Sequence, residues 1–221
     1  MSLQTEFAPY LSPAEFIDSD HPDIIAYTQA QVKPDQSPLE QAVSLYYTVR
    51  DGWRYDPYRV DLRPDAMRAS AILKRDHGHC IDKATVFAAG LRTLGIPSRL
   101  LFANVRNHIA TSKLEEFLGS NVLVFHGYSE VYLEGRWVKA TPAFNLQLCE
   151  HIGVAPLDFD GRTDSMFQEY DQDKGRFMEY LHFYGDFPDV PRDLFIASLK
   201  KHYGHLFDPE KLKSAGVQVY L

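Results

Sequence analysis

Apolar residues recur at helical spacing in several stretches of this chain and at strand spacing in others, so its elements can be read before any chemistry is considered. Ser12-Pro13-Ala14-Glu15 has the form of a capping box with proline at the first helical position, and Pro22 opens a helix through Val32. Ser37-Pro38 starts a stronger helix, in which Leu39, Ala42, Val43, Tyr46 and Val49 share a face and Gly52 is placed to end it. Trp53-Arg54-Tyr55 leads into a polar loop from Asp56 to Arg68, and Ser70 caps a short helix to about Arg75. Beyond Gly78, the stripe Ala84, Phe87, Ala88, Leu91 and Leu94 predicts a buried helix. Gly95 stands at its C-terminal cap and Pro97 forbids continuation.

The strand signals follow. Ser98 to Val105 reads as a strand, then Ser112-Lys113-Leu114-Glu115 begins a small helix, expected at a surface, that ends near Gly119. Val122 to Leu133 is a long strand, and Glu134-Gly135 turns it back into Arg136 to Thr141 as a hairpin. A two-residue turn sets the register: Leu133 faces Arg136, Tyr132 faces Trp137, Glu130 faces Lys139 and Tyr128 faces Thr141. His126, Tyr128, Glu130 and Tyr132 then share one face with Trp137, Lys139 and Thr141, a polar and aromatic surface available to meet the buried helix. Phe125, Val131, Leu133, Val138 and Ala140 take the other. From Glu150 onward the pattern predicts an acidic loop over Asp158 to Asp173, a helix from Lys174 to Tyr184 ended by Gly185, and another from Pro191 to His202 ended by Gly204. A short helix at Asp208-Pro209 and a terminal strand from Val217 to Leu221 complete the chain.

Composition narrows the class. With 221 residues, 45% of them hydrophobic, the chain can bury one large core, and a single domain over 1–221 is expected. Its core spans about 38–146, preceded by a helical arm, 1–37, and followed by a mostly helical extension, 150–221. The net charge of -7 and the lack of clustered Lys and Arg exclude a surface that tracks nucleic-acid phosphates. No apolar run reaches the length of a membrane span and Met1 to Tyr10 lacks the order of an export signal, so no membrane partner and a cytoplasmic location are expected. The oligomeric state is not legible.

Two cysteines, Cys80 and Cys149, are too few for a disulfide scaffold. His77, His79 and Cys80 lack a second ligand cluster for zinc, and at Asp171 and Asp173 a calcium loop would need glycine where Lys174 stands. Neither metal nor other cofactor is implied. Cys80, however, sits right at the start of the buried helix, where the positive end of the dipole favours a thiolate. A histidine on a strand is more often structural than catalytic, yet His126 heads a polar face. Acyl chemistry on a cysteine needs a nucleophile, an imidazole, a group to hold the ring and donors for the oxyanion. Cys80 and His126 fit the first two roles, and Tyr55 or Trp53 could supply a donor beside the Cys80 backbone N–H.

Three blocks, Leu45 to Tyr55, Gly78 to Arg99 and His126 to Pro142, together resemble the transglutaminase-like superfamily of cysteine enzymes. The resemblance implies an α+β fold with a papain-like core: a catalytic helix packed on an antiparallel sheet, here with added N- and C-terminal helices. It puts the nucleophile on Cys80 and the catalytic histidine on His126, with Tyr128 as the aromatic two residues on and Glu130 as the strand glutamate. The family's third residue, usually aspartate, falls on Thr141, which can hold a tautomer but cannot stabilise an imidazolium with a full charge. Asn145 and Glu130 are the other candidates for orienting the ring. The implied activity is cleavage or transfer of an amide or peptide acyl group, of glutaminyl type, through a thioester acyl-enzyme on a peptide or protein substrate, hydrolysis ahead of crosslinking. The alternative is a weakened domain that uses the same groove to hold a peptide or protein partner.

Overall fold

A computed structural model describes residues 3–108, 112–167, 178–207 and 218–220. Helix α1 (Leu3–Leu11) ends where the sequence suggested a helix would begin: the N–H groups of Phe16 and Ile17, which a helix started at Ser12 would have turned onto its own carbonyls, bond the Asp189 carboxylate instead. Helices α2 (Pro22–Gln31) and α3 (Pro38–Gly52) follow, the latter with the reciprocal Ser37–Glu40 capping box its sequence encodes. Then come β1 (Arg54–Tyr55), β2 (Arg59–Asp61), and two single turns, α4 (Pro64–Met67) and α5 (Ala69–Ile72). Ser70 lies inside α5, its hydroxyl on Asp18 at 2.5 Å, and caps nothing. The two-residue β3 (His77–Gly78) pairs in parallel with β1, setting Tyr55 opposite Gly78.

Helix α6 (Cys80–Thr93) is the buried centre of the molecule. Helices α2, α3 and α5 cover one side of it and the sheet covers the other. The sheet is antiparallel, in the order β6-β5-β4-β7, built from β4 (Ser98–Asn107), β5 (Val122–Leu133), β6 (Arg136–Ala140) and β7 (Met178–Phe187). The hairpin has the expected register from Leu133↔Arg136 to Ser129↔Ala140, where pairing stops, so Thr141 lies one residue past the last pair. Glu134 and Gly135 both turn through positive φ, 49° and 87°. Inserted helix α7 (Ser112–Leu118) follows β4, α8 (Leu146–Ile152) follows β6, and α9 (Arg192–His202) with a 3-10 turn (Gly204–Phe207) follows β7. Strand β8 (Gln218–Tyr220) pairs with β2. No helix among the described residues is long and apolar enough to cross a membrane.

Two expectations are corrected here. The helix foreseen from Lys174 to Tyr184 is, from Met178 on, the strand β7 along the free edge of β4. Its aromatic residues Tyr180, Phe183, Tyr184 and Phe187 suit a pleated surface, and Gly185, at φ 107°, serves a register shift and not a helix cap. The Asp171–Asp173 segment and Asp208-Pro209 lie outside the described residues. The second correction concerns facing. Helix α6 packs on the opposite side of β5 from His126, Tyr128 and Glu130: Ile81 lies against Gly127, the Ser129 hydroxyl bonds the Ala84 carbonyl, and Val131 joins the same core. A Cβ on Gly127 would sit 2.9 Å from Ile81 Cγ1 and 3.2 Å from Ile81 Cα. Gly127→Ala is therefore expected to push the mouth of α6 off the strand and lower stability by about 1–3 kcal/mol. A urea midpoint equal to that of wild type would contradict this contact.

Candidate active site

Cys80 stands at the seam between the two hydrophobic cores and packs against both. Its helix is capped by its predecessor: His79 Nδ1 accepts the N–H groups of Ile81 and Asp82, at 3.2 and 3.4 Å, while the Asp82 carboxylate accepts the His79 N–H at 3.1 Å. This commits His79 to the helix N-terminus. The β1–β3 pair brings the Tyr55 phenol beside the Cys80 sulfur, which, after burial, holds that phenol protonated. Backbone N–H groups of Gly127, Ile81 and Cys80 favour the thiolate, but burial dominates and pushes the thiol up to about 11. The thiolate expected from the helix dipole is thus overruled by desolvation, and the resting sulfur is a thiol.

His126 reaches the same place from the other side of the strand. Between Ala103 and Val105 the β4–β5 register shifts, and Phe125 turns through φ 62°, a conformation a bulky residue rarely holds. Asn104, opposite the two bulged residues Val124 and Phe125, stabilises the turn, its side-chain oxygen accepting the Phe125 N–H and the Tyr184 hydroxyl, both at 3.1 Å. The break in alternation sends neighbours Val124 and Phe125 into one core and leaves the His126 ring, 2% exposed, against Tyr128 and Phe167 at 6.2 and 5.4 Å. Burial alone pulls its pKa down to about 4. Neither ring nitrogen has a hydrogen-bond partner among the described residues. Tyr55, Cys80 and His126 line one cavity of about 90 Å³.

The other candidates separate clearly. Glu130 is paired with Arg99 at 2.6 Å, directly across β4. Asn145 accepts the Tyr55 N–H at 2.9 Å and donates to Gln147, so it positions Tyr55 and not the imidazole. Trp53 packs edge-on to Tyr27 at 5.8 Å in the core and does not line the cavity. Tyr128 is buried beside the imidazole, its hydroxyl without a partner among the described residues. Thr141 is buried too, its Oγ1 unpartnered and its carbonyl accepting from Tyr46 at 3.1 Å. Of the three residues considered for holding the ring, Thr141 is the one with a fully buried polar atom that has no partner among the described residues. Placing a carboxylate there, as Thr141→Asp, is expected to raise the His126 pKa and to increase iodoacetamide labelling of Cys80 below pH 8. An unchanged labelling profile would remove Thr141 from the site.

One residue that sequence reading passed over organises the surroundings. Lys83 is fully buried, and its ammonium donates to the carbonyls of Arg50 (2.7 Å), Trp53 (3.2 Å) and Ala143 (2.6 Å). It joins the end of α3, the start of the Tyr55 strand and the segment after Thr141 to the first turn of α6. The signal was available: Lys83 lies four residues before Phe87 on the apolar stripe, where a charge must be paired.

The model of the transglutaminase-like superfamily matches residues 25–142. Among solved structures, a candidate cysteine protease from Cytophaga hutchinsonii is similar at 15% identity and a TM-score of 0.50, over 84% of this chain and 55% of that one. A candidate protease from Parabacteroides distasonis is similar at 14% identity and a TM-score of 0.38, over 62% of this chain and 25% of that one. The chain thus spans about half the length of the first and a quarter of the second. No curated protein matches. With the family match covering more than half of the chain, and with a helix on an antiparallel sheet as its core, the chain belongs to the transglutaminase-like superfamily.

Proposed function

We propose that this protein is a cysteine enzyme, acting as one domain over 1–221, that opens an amide or related acyl bond of a peptide or protein through a thioester on Cys80, with hydrolysis ahead of transfer to an amine. The observation that carries the reading is the shared cavity, in which a thiol at a helix mouth and an unpartnered, buried imidazole face the same space. The neutral His126 takes the thiol proton as sulfur bonds to the carbonyl carbon and the carbonyl pair moves to oxygen. The Cys80 N–H and the Tyr55 hydroxyl are the donors nearest that oxygen. Collapse restores the carbonyl and expels the amine, which leaves with the proton held by His126. A water then attacks the thioester, His126 takes its proton, and the thiol is regenerated. Thr141 Oγ1, buried and without a partner among the described residues, is the group left to orient the ring once substrate is bound.

The pH dependence follows from burial. His126 is neutral, and competent as a base, above about pH 4, and Cys80 stays a thiol until about pH 11. Acylation of Cys80 by an activated ester, followed by intact-protein mass spectrometry, is expected to rise through an acid midpoint near 4 and to hold level across neutrality. A rate that stays low across neutrality and rises only toward the Cys80 thiol pKa of about 11 would mean that His126 plays no part. Absence of any acyl mass on Cys80 would sink the enzymatic reading. The second reading, a domain that holds a peptide without cleaving it, is favoured by the lack of any bond from Thr141 to the imidazole.

A further inference from the structure

We infer that the cavity beside Cys80 is an acyl-group subsite that takes a short apolar chain and refuses charged or carboxamide-bearing ones; the inference rests on the reading of Cys80 as nucleophile. The walls come from parts of the chain outside the helix–sheet core. Helix α7 contributes Leu114 and Phe117, α9 contributes Phe195 and Leu199, the 3-10 turn contributes Leu206, and the loop after β1 leads into Val60. Helix α7 is therefore no surface ornament: it buries Leu114, Phe117 and Leu118 and turns Lys113, Glu115 and Glu116 outward.

Two features give the cavity its selectivity. No Asp, Glu, Lys or Arg occurs among the described residues that line it. Its few polar atoms outside the reacting group already have neighbours: the Tyr203 hydroxyl accepts the Val124 N–H at 2.8 Å and donates to the Val122 carbonyl, and His79 accepts from its own helix through Nδ1 while its Nε2 lies 3.5 Å from the Asp82 carboxylate. A charged or amide group placed here would lose its water and find no partner, whereas a hydrocarbon would lose nothing. The reacting groups sit in the wall, so the chain occupying the cavity is attached close to the carbon under attack. On the far side of Tyr55 lies a larger depression of about 330 Å³ with Arg54, Asp56, Asn107 and His151 in its walls. Those hydrogen-bonding groups, set among Phe144, Leu148 and Ile152, suit the departing amine and its water replacement. The apolar side suits the group that stays on sulfur.

The test uses two arms. Cys80→Ala protein, which cannot be acylated, is titrated calorimetrically with acetamide, butyramide, hexanamide and octanamide, and with N-acetyl-leucine amide, glutaramide and succinamate. Affinity is expected to rise about fourfold per added methylene, the equivalent of ~0.8 kcal/mol, until the cavity is full. Glutaramide and succinamate should bind no better than acetamide. Binding that does not depend on chain length overturns the subsite, whatever Cys80 does chemically. Stronger binding of N-acetyl-leucine amide than of hexanamide would identify a peptide's apolar side chain as the occupant, and the reverse order a simple aliphatic acyl group. In the second arm, wild-type protein is acylated with p-nitrophenyl acetate and hexanoate. The hexanoyl-to-acetyl rate ratio should exceed ten, and should fall at least tenfold in Leu199→Trp, whose added bulk fills the cavity. Should that variant fail to fold by circular dichroism, Leu206→Trp takes its place and the binding arm stands by itself. Chain-dependent binding with no acylation of Cys80 by either ester overturns the enzymatic reading while upholding the apolar cavity.

Discussion

Cys80→Ala is expected to abolish acyl-enzyme formation, and His126→Ala to slow it by about 100- to 10,000-fold. That loss corresponds to about 3–5 kcal/mol of transition-state stabilisation. The sulfur is a thiol at neutral pH because burial outweighs three favourable backbone N–H groups, so attack requires a base at the moment the bond forms. His126 is the imidazole in the cavity with both nitrogens uncommitted. Cys149→Ala serves as the control: that thiol lies in the second core, away from the cavity, and its removal should leave acylation of Cys80 intact. Equal acylation rates in His126→Ala and wild type would show that water or another group removes the proton, and the mechanism proposed above would fail.

Lys83→Met is expected to destabilise the fold by about 3–5 kcal/mol, a fall in Tm on the order of 10 °C for a chain of this size. Burial pulls the ammonium pKa down to about 7, against which three carbonyl acceptors match its three N–H donors; a neutral amine could serve only two. Methionine fills the same volume but leaves three buried carbonyls without a donor, each at a cost of about 1–3 kcal/mol before relaxation. Arginine would not repair the loss, because a planar fork cannot address three carbonyls around one atom. Scanning calorimetry of Lys83→Met and Lys83→Arg measures both statements. A change in Tm within 2 °C for methionine would mean that the three carbonyls find other partners.

Much of this site was legible before the structure. The stripe from Ala84 to Leu94, bracketed by Gly78 and Gly95, defined the helix that carries Cys80, and Glu134-Gly135 set the register that puts His126, Tyr128 and Glu130 on one face. These are local properties, carried by side-chain periodicity and by backbone conformations that particular residues permit. The capping box at Ser12 misled for a related reason: the N–H groups of Phe16 and Ile17, which would have continued that helix, are claimed by Asp189, 172 residues or more further along the chain. The strand β7 read as a helix because its partner, the free edge of β4, is invisible in its own sequence.

That Cys80 and His126 border the same cavity was beyond any local rule. Helix α6 packs on the face of β5 opposite the His126 side chain, and both residues border one cavity because Gly127 lets the helix mouth lie over the strand, β6 stops at Ala140, and the Val124–Phe125 bulge opposite Asn104 turns Phe125. Lys83 shows the same division. Its place on an apolar stripe signalled a buried charge, but which carbonyls would hold it depended on three segments converging. The sequence alone determined which residues could do chemistry and which element carries each one. Only the tertiary structure decided their protonation and their company, since desolvation and hydrogen bonding are set by all the atoms around a group and not by its neighbours along the chain.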